Sequence, residues 1–149
     1  MDEEYLKMVL ALPDEFIKNL SVKNGDQVFL LKDVKATDYP SSYGHGLYTV
    51  FENSLAFEGH ICTEHWMGVY WLLEERKAIP IPSQEQLINM IKNCSMWNTV
   101  KLTDLEIITG VAEWHRRYPC KTQNKCCEQL YLEVLMWLND KTWDGESWI

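Results

Sequence analysis

The sequence predicts an α+β fold: an antiparallel sheet of three to five strands, with N-terminal helices and three C-terminal helices packed on one face. Three observations carry this expectation. Apolar residues at helical spacing open the chain, strand-like runs separated by turn residues fill 27 to 81, and three helical segments with capping signals follow Ser83. No Pro/Gly/Ser-rich linker and no internal repeat interrupts the 149 residues, so the chain reads as a single domain over 1–149. That length can bury a core without covalent staples.

Each element has a local reason. Tyr5, Leu6, Met8, Val9 and Leu12 recur at helical spacing behind Asp2, Glu3 and Glu4, whose charges suit a helix N-terminus. Pro13 interrupts this helix. Asp14 reads as the N-cap of a short second helix to Leu20 that buries Phe16, Ile17 and Leu20. Asn24-Gly25-Asp26 signals a turn, 27–31 a short strand, and 32–46 a long loop. The runs 47–52 and 55–62 alternate and are joined at Asn53-Ser54, which suggests a hairpin. Leu47, Thr49 and Phe51 share one face of the first run. Leu55, Phe57 and Ile61 share one face of the second, with Glu58, His60 and Cys62 on the other. The run 68–73 reads as a third strand, 74–77 as a charged turn, and 78–81 as a short edge strand blunted by Pro80.

The last third is helical. Ser83 with Gln86 fits a capping box ahead of a stripe of Leu87, Met90, Ile91 and Cys94. Thr103 with Glu106 fits a second box, followed by a stripe of Leu105, Ile108, Ala112 and His115 that should end before Pro119. A third helix over about 125–139 buries Leu130, Tyr131, Val134, Leu135 and Leu138. The tail carries Trp143 and Trp148 around Asp144-Gly145 and is expected to pin itself to the body.

Composition narrows the function. The chain is 46% hydrophobic and 24% charged, as globular proteins are. Its longest uncharged apolar stretch, within 66–73, is far short of the roughly 18 residues of a membrane helix. An acidic start, Met-Asp-Glu-Glu, does not suit a secretory signal, so a cytoplasmic chain away from membranes is expected. Cys62, Cys94, Cys120, Cys126 and Cys127 make an odd set, two of them adjacent, as in a reduced thiol set rather than a disulfide framework. The net charge is −8, with thirteen acidic and five basic residues up to Glu75 and nine of each afterwards. This field repels a phosphate backbone and disfavours direct nucleic-acid binding. Arg116, Arg117, Lys121 and Lys125 form a local exception, read as a solvated helix end.

Catalytic and metal patterns are weak. His60, Cys62, Glu64 and His65 offer zinc-type donors, and His115 with Cys120, or Cys126 with Cys127, would complete a set. The spacing is irregular and no C-x-x-C is present, so these are read as ordinary strand and turn residues, and neither metal nor cofactor is expected. The zinc-deaminase pattern fails twice, with His60-Ile61-Cys62 in place of H-x-E and no cysteine three residues after Cys120. No G-x-S-x-G, P-loop or G-x-G-x-x-G occurs, and the chain is expected not to be an enzyme. The aromatics are more informative. Trp66, Tyr70 and Trp71 cannot all face one way on a strand, so an open sheet face would carry large rings. Trp and Tyr anchor interfaces, and a charged rim around such an anchor is the usual hot-spot arrangement. The expected binding site is Glu58, Glu64, Trp66, Glu74 and Glu75.

The segments Ile81-Pro82-Ser83-Gln84-Glu85-Gln86-Leu87, Glu128-Gln129-Leu130-Tyr131-Leu132 and Trp143-Asp144-Gly145-Glu146-Ser147-Trp148 resemble segments of a group of small phage and prophage proteins. The resemblance covers about residues 78–149. The group has no assigned activity, so no functional residue carries over. It implies an origin in a phage or mobile element, where small acidic accessory proteins often bind and block a host protein. The leading expectation is a non-enzymatic inhibitor of a host defence protein, such as a CRISPR effector, reached through a basic surface of that partner. Two alternatives stand beside it. One is a sponge for a nucleotide signal, held by aromatic stacking and by Arg116, Arg117 and Lys121. The other is a small zinc-stabilised interaction module.

Overall fold

The computed structural model describes residues 2–31, 34–35, 42–43, 45–51, 54–57, 60–61, 69–94, 102–117 and 126–149. In chain order their elements are α1 (Glu3–Leu10), α2 (Asp14–Ile17), β1 (Gln27–Leu30), β2 (Val34–Lys35), β3 (Ser42–Tyr43), β4 (Gly46–Phe51), β5 (Ser54–Phe57), β6 (His60–Ile61), α3 (Val69–Glu74), β7 (Ala78–Ile81), α4 (Gln84–Lys92), α5 (Asp104–Arg117) and α6 (Cys127–Trp137). The fold is α+β. Its contacts divide into two compact units, residues 13–81 and residues 1–12 with 82–149. No helix among the described residues is long and apolar enough to cross a membrane.

The unit over 13–81 is built on a five-stranded antiparallel sheet in the order β6-β5-β4-β1-β7, with β2 and β3 forming a separate two-stranded ladder. It opens through the expected turn. Gly25 has a φ of +90°, which glycine adopts freely, and Lys23 N–H donates to Asp26 Oδ2 at 2.9 Å. On β1, Val28 lies opposite Tyr48 and Pro80, and Leu30 lies opposite Gly46 and Ala78. Residues opposite one another share a face. Val28, Leu30, Tyr48, Val50 and Ala78 therefore form one buried surface, with Leu72 of α3 packed into it.

Three expectations change here. The β4–β5 hairpin forms as predicted, pairing Phe51 with Ser54. The buried side of β4, however, is Tyr48 and Val50, while Thr49 and Phe51 are exposed. Register with β1 decides this, because the aliphatic pair Val28 and Leu30 selects the even-numbered residues of β4. The run 55–62 is not one strand. It folds back on itself as β5 and β6, pairing Phe57 with His60. The expected strand over 68–73 is instead helix α3. The cause is tertiary packing. β7 pairs with β1, four strand spacings or about 19 Å across the sheet from β6. Helix α3, about 9 Å long, lies within that connection and packs Leu72 into the buried face of the sheet. β7 itself is the predicted edge strand, with Pro80 in it.

The short second helix also differs. Pro13 occupies the N-cap position, Asp14 is the first helical residue, and the helix ends at Ile17 with Phe16, Ile17 and Leu20 only half-buried.

The second unit packs α1, α4, α5 and α6 together. Asp2 caps α1 by accepting the Tyr5 N–H at 3.1 Å. The Ser83–Gln86 capping box of α4 is complete, with bonds of 3.3 and 2.8 Å, and Leu87, Ile88 and Ile91 are buried behind it. The Tyr5 hydroxyl donates to the Pro82 carbonyl at 2.6 Å, tying α1 to the approach to α4. Burial first, then the charge of Glu128, pushes its pKa far up, so it remains a donor.

Thr103 caps α5 as expected, accepting the Glu106 N–H at 3.3 Å, and the helix stops at Arg117 ahead of Pro119. Its buried face is not the expected stripe. Ile107 and Val111 are buried, whereas Leu105, Ile108 and Ala112 are exposed. The helix has two apolar sides, and the one bearing Trp114, whose ring meets Trp137 at 6.1 Å, turns inward. Helix α6 is buried over all of 131–136 and at Gln129, with Leu130 and Leu138 half-buried. A helix wrapped by neighbours loses its single-face pattern.

The tail folds as a small hairpin. Thr142 and Ile149 exchange both backbone bonds, at 2.9 and 3.0 Å, and Trp143 bridges Trp148 with ring centroids 5.1 Å apart. It is pinned to α1, as the sequence suggested. Trp143 Nε1 donates to Glu4 Oε1 at 2.8 Å, Trp148 Nε1 to the Met8 carbonyl at 3.0 Å, and Lys7 Nζ to the Gly145 carbonyl at 2.5 Å.

Candidate functional site

The described residues of 13–81 form a groove of about 510 Å³. Its floor is apolar: Ile17 and Leu20 at α2, Leu31 after β1, Leu73 of α3, and Ala78, Ile79 and Pro80 of β7. Asp14, Lys18, Glu74 and Arg76 stand at its rim.

Each side of the groove has a local cause. Pro13 stands at the N-cap of α2, and its carbonyl accepts the Phe16 N–H at 3.0 Å. Helix α3 ends in a Schellman motif. Lys77 N–H reaches the Leu72 carbonyl at 2.8 Å, Arg76 N–H reaches that of Leu73 at 3.1 Å, and Arg76 sits at φ +53°. That turn feeds β7 directly, and Leu31 N–H bonds the Lys77 carbonyl at 2.9 Å. It also aims Arg76 at α2, where its guanidinium meets Asp14 Oδ2 at 2.5 Å. One ion pair thus spans the rim. Pro80 has no N–H to offer at the edge of β7, so strand addition along this edge lacks one donor. The groove suits side chains better than an added strand.

Of the five expected site residues, Glu74 lines this groove and Glu75 is exposed in the turn beside it. Glu74 belongs to the last turn of α3 and not to a turn between strands. Glu58, Glu64 and Trp66 lie outside the described residues. The floor residues were not anticipated as a site. Pro80 read only as an edge blunt and Ile17 only as core, because nothing local tells that α2 and β7 come together.

Other candidate chemistry is limited. Cys62, Glu64, His65 and Cys120 lie outside the described residues, and no metal-binding group of three side chains occurs among the described ones. Burial pushes the Cys94 thiol up, against a smaller opposing effect of the Asn139 amide. Cys126 stands at the N-terminus of α6, where a thiol is often acidified. Burial and the carboxylates of Glu128 and Asp2 outweigh the Gln129 N–H, and its pKa also rises. Neither presents a thiolate at neutral pH. In the basic cluster, Lys121 and Lys125 lie outside the described residues. Arg116 holds Glu113 through two bonds, 2.7 and 3.1 Å, and Arg117 Nε adds a third at 3.1 Å. These cations are exposed and share one carboxylate, as a solvated helix end does.

No family model, curated protein or solved structure matches the chain.

Proposed function

We propose that this protein is a non-enzymatic binding protein that seats a basic segment of another protein in the α2–α3–β7 groove. The observation that carries this reading is a concave apolar floor with carboxylates at its margin. Apolar surface gives the contact its energy, and the charges steer a partner and fix its register. Asp14 and Arg76 neutralise one another, as Glu74 and Lys18 do in sum. The exposed Glu15 and Glu75 beside them, against Lys77, tip the margin to acidic by one. The whole segment 13–81 carries ten carboxylates against six Lys and Arg. The resemblance of residues 78–149 to phage and prophage proteins makes a host defence protein, such as a nucleic-acid-binding CRISPR effector, the favoured partner. Such a partner exposes basic channels for phosphate backbones.

Affinity capture from extracts of a defence-carrying host tests this. The wild-type chain should recover one dominant basic partner, released progressively by salt. The variant Leu31→Asp/Glu74→Lys/Glu75→Lys should recover none of it while keeping its fold. Recovery of no partner, or equal recovery by the variant, contradicts the proposal.

A further inference from the structure

We infer that Arg76 holds, within the chain, the place on Asp14 that an arginine of the partner takes, so that binding exchanges one guanidinium for another. This rests on the reading of the groove as the seat of a basic segment, and it names the side chain that segment must bring. Asp14 and Arg76 both line the groove, and Arg76 Nη1 donates to Asp14 Oδ2 at 2.5 Å. The pair displays the chemistry this part of the rim accepts: a guanidinium on a carboxylate, beside an apolar floor.

The internal pair gives way easily. Both side chains are 61% exposed, so water screens their attraction and the pair adds little to the fold. Arg76 also sits at a φ of +53°, which a residue with a Cβ adopts only at a cost. Stability therefore does not account for an arginine at this turn, whereas a place at the rim does. The contact uses one nitrogen on one oxygen. An incoming arginine has the fork to engage both carboxylate oxygens, which is the stronger arrangement and one that lysine, a point charge, does not reproduce. Its segment, lying on Leu31, Leu73 and Ile79, excludes water from Asp14, and a drier pair attracts more strongly than an exposed one. The displaced Arg76 stays on an exposed turn, so no charge is left buried without a partner. The groove thus selects a segment that carries arginine, not merely positive charge, next to its apolar anchors.

Two end-blocked peptides of equal charge, Lys-Leu-Arg-Phe-Arg-Leu-Lys and Lys-Leu-Lys-Phe-Lys-Leu-Lys, test this by titration of the full chain. The wild type should bind the arginine peptide at least about threefold tighter than the lysine peptide. The Arg76 Nε–H resonance should move to its free-chain position as the arginine peptide saturates the groove. Arg76→Gln should tighten the arginine peptide about threefold more than Lys18→Gln, which removes the same charge from the rim but leaves the Asp14 pair in place. In an Asp14→Asn background the arginine preference should vanish, and Arg76→Gln should then add nothing beyond Lys18→Gln. All three positions are exposed, so the melting temperature should stay within a few degrees. Equal affinity for the two peptides, no binding of either, or an effect of Arg76→Gln no greater than that of Lys18→Gln overturns the exchange. The groove reading itself fails only if the wild type also captures no basic partner from host extract.

Discussion

Asp140 closes α6 at a φ of +58°, with its N–H bonded to the Trp137 carbonyl at 3.0 Å and Lys141 N–H to that of Met136 at 2.9 Å. This is the Schellman position that glycine fills at least strain. Asp140→Gly should therefore stabilise the fold by about 0.5–1 kcal/mol, read as a higher urea midpoint at unchanged slope. Arg76 holds the same conformation at the end of α3, but Arg76→Gly also removes the ion pair with Asp14. That pair is more than half exposed and contributes under about 1 kcal/mol, so the two effects nearly cancel. Asp144 gives a pH effect of known sign. The Ser147 N–H and then the Glu146 N–H donate to its carboxylate, both at 2.8 Å, and hold its pKa below the usual range. A depressed carboxylate contributes order above its ordinary pKa of about 3.9 and loses it as pH falls through the folded value. The indole N–H resonance of Trp148, whose acceptor is the Met8 carbonyl, should shift toward its free-chain position as pH falls below about 4. Asp144→Asn should remove that dependence.

At the scale of elements, the tail hairpin completes α1. The last carbonyls of a helix lack partners within it, and Trp148 Nε1 supplies one to Met8. Trp148→Phe keeps an aromatic ring, though a smaller one, but orphans that carbonyl and should cost about 1–2 kcal/mol, with faster amide exchange in α1. Ser83→Ala removes half of the α4 capping box and should cost about 1 kcal/mol in thermal or urea unfolding. Elements whose signals are local were legible in the sequence: the caps at Ser83 and Thr103, the turn at Gly25, the β4–β5 hairpin and the blunted edge at Pro80. Those decided by distant partners were not. The run 69–74 carries strand-type residues, and the tertiary packing of Leu72 onto the sheet from a helix overrides them. On α5 the stripes through Leu105 and through Ile107 are both apolar, and packing with α6 chooses between them.

Across the whole molecule, charge was the legible part of the site. The acidic excess before Glu75 drew attention to Glu74 and Glu75, which the fold sets at and beside a groove. The apolar floor was illegible because its residues lie in four separate segments, each with an ordinary structural role. The central claim is that this groove takes up a basic partner. Its most direct measurement is the dissociation constant of the purified complex, for the wild type and for Glu74→Lys/Glu75→Lys, over a salt series. Charge reversal at two exposed positions should weaken binding at least about tenfold and flatten its salt dependence, while the melting temperature stays within a few degrees. An affinity and salt dependence equal to those of the wild type would contradict the claim.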